Sequence, residues 1–386
     1  MKNREMRIYN AIGSIAVILS FAGFLSGRPQ DADSPRPQNP DAGRIRTLTP
    51  VLTISDEDGS KFYFKRPSQP QCGPDGSIYV LDEKQIIRFD AQGRFVRNYF
   101  RAGQGPGELN YVIGYAFETN DLIVLNASPR KFVRFDPDGK FVSEAPLPQD
   151  MAPLLLIGCA RNNALILKGA FPPREEMKGL EGTVEIRNPI LALPLAGGRE
   201  KQIGVFTTRM YYQNAAGGVG GSAMAPFGKH IIKAWGNDAL AVFDDEEYAV
   251  KLLDPATGKV IQTLRRSYPR VKTPPEERDG IPTGTAINGR EVRRPAPKYA
   301  PDIVHLLARG EELWVVTSTR IKEKGVLVDV FDRKGIYSDS FYLSIPIWPE
   351  KHLTRPDPIA LQDDFLLCLE KTEDGTYLLR KYKIGN

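Results

Sequence analysis

Histidine and cysteine are scarce, with three of each in 386 residues. Cys72, Cys159 and Cys368 form no CxxC and no zinc-ligand spacing, so a thiol-redox motif and a zinc finger are both excluded. They read as small apolar core residues. Charge of one sign is also lacking. Net charge is +5, of which Lys2, Arg4 and Arg7 against Glu5 supply +2. What remains is small and evenly mixed, and it excludes nucleic acid as a partner. Glycine-rich runs at Gly103–Glu108 and Gly217–Gly221 lack a strand-loop-helix setting, which excludes a dinucleotide site. Ser55–Gly59 and Asp136–Gly139 begin like calcium loops but lack the remaining ligands, and read as turns. No cofactor is expected.

One long apolar run is present, Ala11 to Ser26, behind a basic start. A charged n-region, an apolar h-region and small residues at Ser26 and Gly27 describe a secretory signal. The run is shorter than the roughly 20 residues of a full span. Residues 1–27 are therefore expected to be a signal peptide or an uncleaved anchor, giving a membrane tether through residues 11–26. Residues 28–45, rich in Pro, Asp, Gln and Arg, read as a disordered linker.

From residue 46 to 386 the chain repeats. Gly73-Pro-Asp-Gly-Ser-Ile-Tyr-Val-Leu-Asp followed by Gln85-Ile-Ile-Arg-Phe-Asp has counterparts at Asn120-Asp-Leu-Ile-Val-Leu-Asn with Lys131-Phe-Val-Arg-Phe-Asp. Asn237-Asp-Ala-Leu-Ala-Val-Phe-Asp with Ala249-Val-Lys-Leu-Leu-Asp, and Glu311-Glu-Leu-Trp-Val-Val with Val326-Leu-Val-Asp-Val-Phe-Asp, continue the series. Asp-x-x-Gly elements at Asp90, Asp136 and Asp332 are hairpin turns, with Asp bonding the turn backbone and Gly taking a positive φ. Weaker units at 161–206 and 364–384 bring the count to six. The predicted fold is all-β: a six-bladed β-propeller of four-stranded antiparallel blades. The last unit lacks an outer strand, and Leu48–Ser55 is expected to supply it and close the ring. A seventh blade would have to lie in Arg266–Ala300, which is too polar and proline-rich.

These repeats, with Gly103-Gln-Gly-Pro-Gly-Glu108 between the first two, resemble the NHL-type six-bladed propellers of bacterial exported proteins. The resemblance covers roughly residues 46–386. It implies an exported chain, periplasmic or in the cell envelope, held at the inner membrane if the signal stays uncleaved. Related propellers include lactonases, lyases and protein-binding modules, and the fold does not choose among them.

In such a ring the short turns fall on one face and the inter-blade loops on the other. Long connections are expected at Ala102–Tyr111, Thr207–Gly228, Arg266–Pro301 and Ile345–Pro356, and function is placed there. Arg266–Ala300 is basic. Arg270, Lys272, Arg290, Arg293, Arg294 and Tyr299 are the candidate partner-binding residues, suited to an acidic protein, a glycan or a lipid headgroup. His230, His305 and His352 fall in or near three adjacent blades and are the candidates for a metal or general-base cluster. The reading is a binding module for a protein or glycan of the cell envelope. The alternative is a hydrolase or lyase with its site at the channel mouth.

Overall fold

A computed structural model describes residues 43–55, 62–148, 154–169, 182–213, 223–227, 231–243, 247–273, 275, 281–287, 290–346 and 358–385. The expected signal or anchor and most of the linker lie outside the described residues. Among the described residues the first strands are β1 (Ile45–Arg46) and β2 (Leu48–Ile54). Blade one holds β3 (Pro67–Cys72), β4 (Ile78–Asp82), β5 (Gln85–Phe89) and β6 (Phe95–Asn98). Blade two holds β7 (Val112–Glu118), β8 (Asp121–Ala127), β9 (Arg130–Phe135) and β10 (Phe141–Pro146). Blade three holds β11 (Leu154–Ala160), β12 (Asn163–Lys168), β13 (Gly182–Pro194) and β14 (Lys201–Gln213), with β15 (Ala223–Phe227) as a fifth strand. Blade four holds β16 (Ile231–Trp235), β17 (Ala239–Phe243), β18 (Ala249–Leu253) and β19 (Val260–Arg265). A separate hairpin follows, β20 (Ile281–Ile287) and β21 (Arg290–Arg294). Blade five holds β22 (Ile303–Arg309), β23 (Glu312–Ile321), β24 (Gly325–Asp332) and β25 (Tyr337–Leu343). Blade six holds β26 (Ile359–Gln362), β27 (Phe365–Lys371) and β28 (Tyr377–Ile384), with β2 as its outer strand.

The second strand of a blade lies between two neighbouring blades and is buried on both sides. That is why β4 and β17 read as continuous apolar runs, buried at every residue. Outer strands face water and carry exposed apolar residues such as Val96, Val142 and Val260. Six apolar clusters follow, one at each junction between blades. Each Ile, Leu, Val or Phe so buried contributes about 1.5–3 kcal/mol.

Ring closure comes from β2, which pairs antiparallel with β28 from Leu48↔Ile384 to Ile54↔Leu379. β1 begins at Ile45, the last residue expected in the linker, and pairs in parallel with β25 on blade five. One N-terminal segment therefore spans the edges of blades five and six. The Asp-x-x-Gly turns form as expected: the carboxylate of Asp332 accepts the Lys334 and Ile336 N–H groups at 2.9 and 2.8 Å. Two expected long loops, Thr207–Gly228 and Arg266–Pro301, prove to be partly strand. β14 runs on to Gln213 and recruits β15, and the basic stretch contains the β20–β21 hairpin. Backbone pairing satisfies the polar groups of these segments, which their composition alone did not reveal.

Candidate functional site

The two faces of the ring differ in what their polar groups do. On the short-turn face each of the six junctions carries a polar contact. Arg88 donates to Pro137 O at 2.6 Å, linking blades one and two. The N–H of Asn162 donates to Glu118 across blades two and three (2.7 Å), and Arg161 donates to Asn237 O across three and four (3.2 Å). Arg333 donates to Trp235 O at 2.6 Å and lies 4.5 Å from that indole ring, joining four and five. Arg309 donates to Asp363 O (2.5 Å), and Gln362 to Gly73 O (3.4 Å), completing the circle.

On the opposite face the second strands of blades one and two carry a buried Asp or Asn at or near their ends. Asp82 accepts the N–H groups of Lys65 and Arg66 at 3.1 and 2.6 Å. Asn126 accepts those of Asn110 and Tyr111 at 3.1 and 3.0 Å. Both side chains are fully buried and fasten the segment that leads into the inner strand of their own blade. Their recurrence at the end of "Val-Leu-Asp" and "Val-Leu-Asn" was the available sequence signal. In the glycine-rich loop, Gly105 N–H donates to Glu108 (2.9 Å) and Gly103 N–H to Asn110 (2.9 Å). Lys131 clamps the same loop through Gly105 O. With those N–H groups engaged, this loop is a structural turn and not a phosphate cradle.

Two inserts project from this face. β13 and β14 are each 13 residues long, and their outer ends form a ribbon with β15. Ile186, Asn188, Phe206 and Thr208 are buried along one side of the ribbon, while Glu185, Arg187 and Arg209 are exposed on the other. Asn188 meets its burial cost by donating to Phe206 O and Thr208 Oγ1 at 3.2 and 3.1 Å. The second insert is the β20–β21 hairpin, and β15 contacts β20. An insert of blade three thus meets one rooted between blades four and five.

The root of the hairpin is held by alternate residues of one extended segment. Arg266 donates to the buried Asp329 at 2.7 Å. The hydroxyl of Tyr268 lies 2.6 Å from that of Thr319, and Arg270 donates to Asp302 at 3.0 Å. Asp302 also accepts the Tyr248 N–H at 2.9 Å. Burial pushes the Asp302 carboxyl upward, with Arg270 and that N–H opposing.

The candidate partner-binding residues divide accordingly. Arg270 is engaged with Asp302 and lies 4.9 Å from the Tyr299 ring, and Lys272 bridges Tyr299 through the backbone. These three build the root. Arg290, Arg293 and Arg294 lie on β21, opposite Ile287, Pro282 and Ile281, and Arg293 is exposed. Of the histidines, His305 is buried on β22, the inner strand of blade five. His230 and His352 lie outside the described residues, as do the Gly217–Gly221 run and most of Ser55–Gly59. No group of three His, Cys, Asp or Glu among the described residues is placed to hold a metal. Burial pushes the Cys72 thiol on β3 up to about 12, so it stays protonated at neutral pH.

Fold and site together define a six-bladed β-propeller, closed by its own N-terminal strand, with two inserts on the face opposite its short turns. The profile of the DUF5128 family, described as a six-bladed beta-propeller, matches residues 62–162. No curated protein matches the chain in sequence. Among solved structures, a DUF4221 family member from Bacteroides vulgatus is 11% identical with a TM-score of 0.50, over 89% of this chain and 99% of its own. A Bacteroides fragilis protein provisionally named as exported is 12% identical with a TM-score of 0.49, over 91% and 98%. Virginiamycin B lyase from Staphylococcus aureus is 12% identical with a TM-score of 0.40, over 88% and 99%. Likeness at such identity speaks to the fold alone.

Proposed function

We propose that this propeller is an exported binding module whose loop-face inserts take an acidic protein or glycan of the cell envelope. The observation that carries the reading is the convergence of β15 with the β20–β21 hairpin on the long-loop face. Arg290, Arg293 and Arg294 bring positive charge to that hairpin, which suits a negatively charged surface. Arg270, Lys272 and Tyr299 act in this reading as the root that positions it. The NHL-like repeats and the basic-then-apolar N-terminus support export.

The test is affinity capture from native envelope extract. The bait is the full chain with a C-terminal tag, beside a variant in which Ile281–Arg294 is replaced by a short Gly-Ser link. A stoichiometric partner retained by the first and lost by the second, at equal melting temperature, is expected. Equal capture by both, or capture by neither, overturns the reading, and the latter redirects attention to a small-molecule site at the channel mouth.

A further inference from the structure

The seam where the ring closes contains a cleft of about 500 Å³ between blades six and one, on the short-turn side. Its lining is Val51, Leu52, Ala91, Gln92, Phe365, Lys381 and Lys383. Three adjacent strands build one wall. Phe365, Lys383 and Thr49 form one rung across β27, β28 and β2, and Leu367, Lys381 and Leu52 form the next. In regular strands neighbouring residues face opposite ways. Here the pairing of β2 slips between Pro50 and Leu52, and this bulge lets Val51 and Leu52 line the same cleft. The turn of blade one, Ala91–Gln92, supplies the other wall.

The chemistry of the cleft is uneven in a useful way. Lys381 and Lys383 stand two residues apart on one strand face, and neither forms an ion pair among the described residues. Lys381 Nζ lies 4.3 Å from the Phe365 ring. Val51 remains half exposed, and Gln92 adds an amide. No carboxylate lines the space. Two like charges on one face repel each other unless a counter-charge comes between them. The site is an open groove in which apolar side chains stand beside two cationic ones, an arrangement that suits a small amphiphilic anion.

We propose that the closure seam binds a small organic anion, its carboxylate or similar head between Lys381 and Lys383 and its apolar body against Phe365, Val51 and Leu52. The site lies on the face opposite the inserts, so its fate is independent of the partner-binding reading. It also spans β2 and β28, the strand pair that closes the ring, so its occupant stabilises closure.

The probe is 2-naphthoate, followed by saturation-transfer NMR on the full chain. Two controls separate its parts: 2-naphthamide keeps the ring without the charge, and inorganic phosphate keeps charge without the ring. Saturable naphthoate binding is expected, weakened at least about tenfold in the Lys381→Ser/Lys383→Ser variant, with both controls similarly weaker. Val51→Glu, which puts a carboxylate into the cleft, is expected to have the same effect. Saturating naphthoate should raise the melting temperature of the parent chain and not of these variants. Binding unchanged in both variants, no saturable binding below about 10 mM, or phosphate binding as tightly as naphthoate overturns the proposal.

Discussion

Arg266 donates its Nε–H to Asp329 at 2.7 Å across the junction of blades four and five, and the Asp329 carboxylate is fully buried. The rings of Tyr248, Tyr268 and Tyr337 surround the guanidinium at 5.3 to 5.5 Å. The hydroxyls of Tyr248, Tyr337 and Ser340 donate to the same carboxylate at 2.8, 3.0 and 3.0 Å. Burial pushes this carboxyl upward, and the ion pair with the three hydroxyl donors opposes it.

Removing one side of such a pair leaves a buried charge alone. Arg266→Ala is expected to lower stability by about 3–5 kcal/mol, read from denaturant unfolding. Tyr337→Phe removes one hydrogen bond to a charged group and should cost about 1.5–3 kcal/mol. A loss below about 1 kcal/mol in Arg266→Ala would show that the junction does not depend on the pair.

Asp302 joins the hairpin root to blade five through Arg270. Asp302→Ala should therefore speed amide hydrogen exchange within residues 281–294 while leaving β17 and β23 protected. Uniform acceleration across the ring would instead make Asp302 a general stabilising residue.

Closure by β1 and β2 covers two sheet edges. A chain beginning at residue 55 exposes β28 and β25, and is expected to aggregate or melt well below the parent, by size-exclusion chromatography and circular dichroism. Asp339→Ala removes the partner of Arg46 on β1 and of Arg44 just before it, together with an acceptor of the Ser340 N–H. Those groups are partly exposed, so a loss of about 0–1 kcal/mol is expected. A monomeric truncated chain with unchanged melting would refute closure by this segment.

Turn carboxylates contribute to the acid limb of stability. Thr257 and Ala256 N–H groups donate to Asp254, and the Thr372 hydroxyl and Thr376 N–H donate to Asp374, holding both below the usual carboxylate range. Their folded values lie under the unfolded value of about 3.9, so the unfolded chain binds more protons in that window. The stabilisation is complete above about pH 5 and is lost as pH falls through the folded values. Melting temperature between about pH 2 and 6 should fall less steeply on the acid side in an Asp254→Asn/Asp374→Asn variant than in the parent. Parallel curves would remove these turns from the acid limb.

Much of the fold was legible because its cues are local. Apolar runs with no alternation, such as Ile78–Leu81 and Leu122–Leu125, mark strands buried on both sides. Asp90, Asp136 and Asp332, each three residues before a glycine, mark the hairpins that lead into the outer strands. The candidate site was legible only in outline. The basic stretch was found, but its division into a half-buried root at Arg270 and Tyr299 and a strand at Arg290–Arg294 was not, because composition does not distinguish a solvated loop from a paired strand.

By itself the chain's order of residues determined six repeating units, their turn chemistry and the strand that closes them, since each rests on contacts within a few residues or on one missing strand. Only the tertiary structure decided the pairing of β1 with β25, the approach of β15 to β20, the Arg266–Asp329 pair and the cleft at Lys381 and Lys383. These join residues far apart in sequence, and it is the packing of neighbouring blades and inserts, with ring closure at β1 and β2, that brings them together.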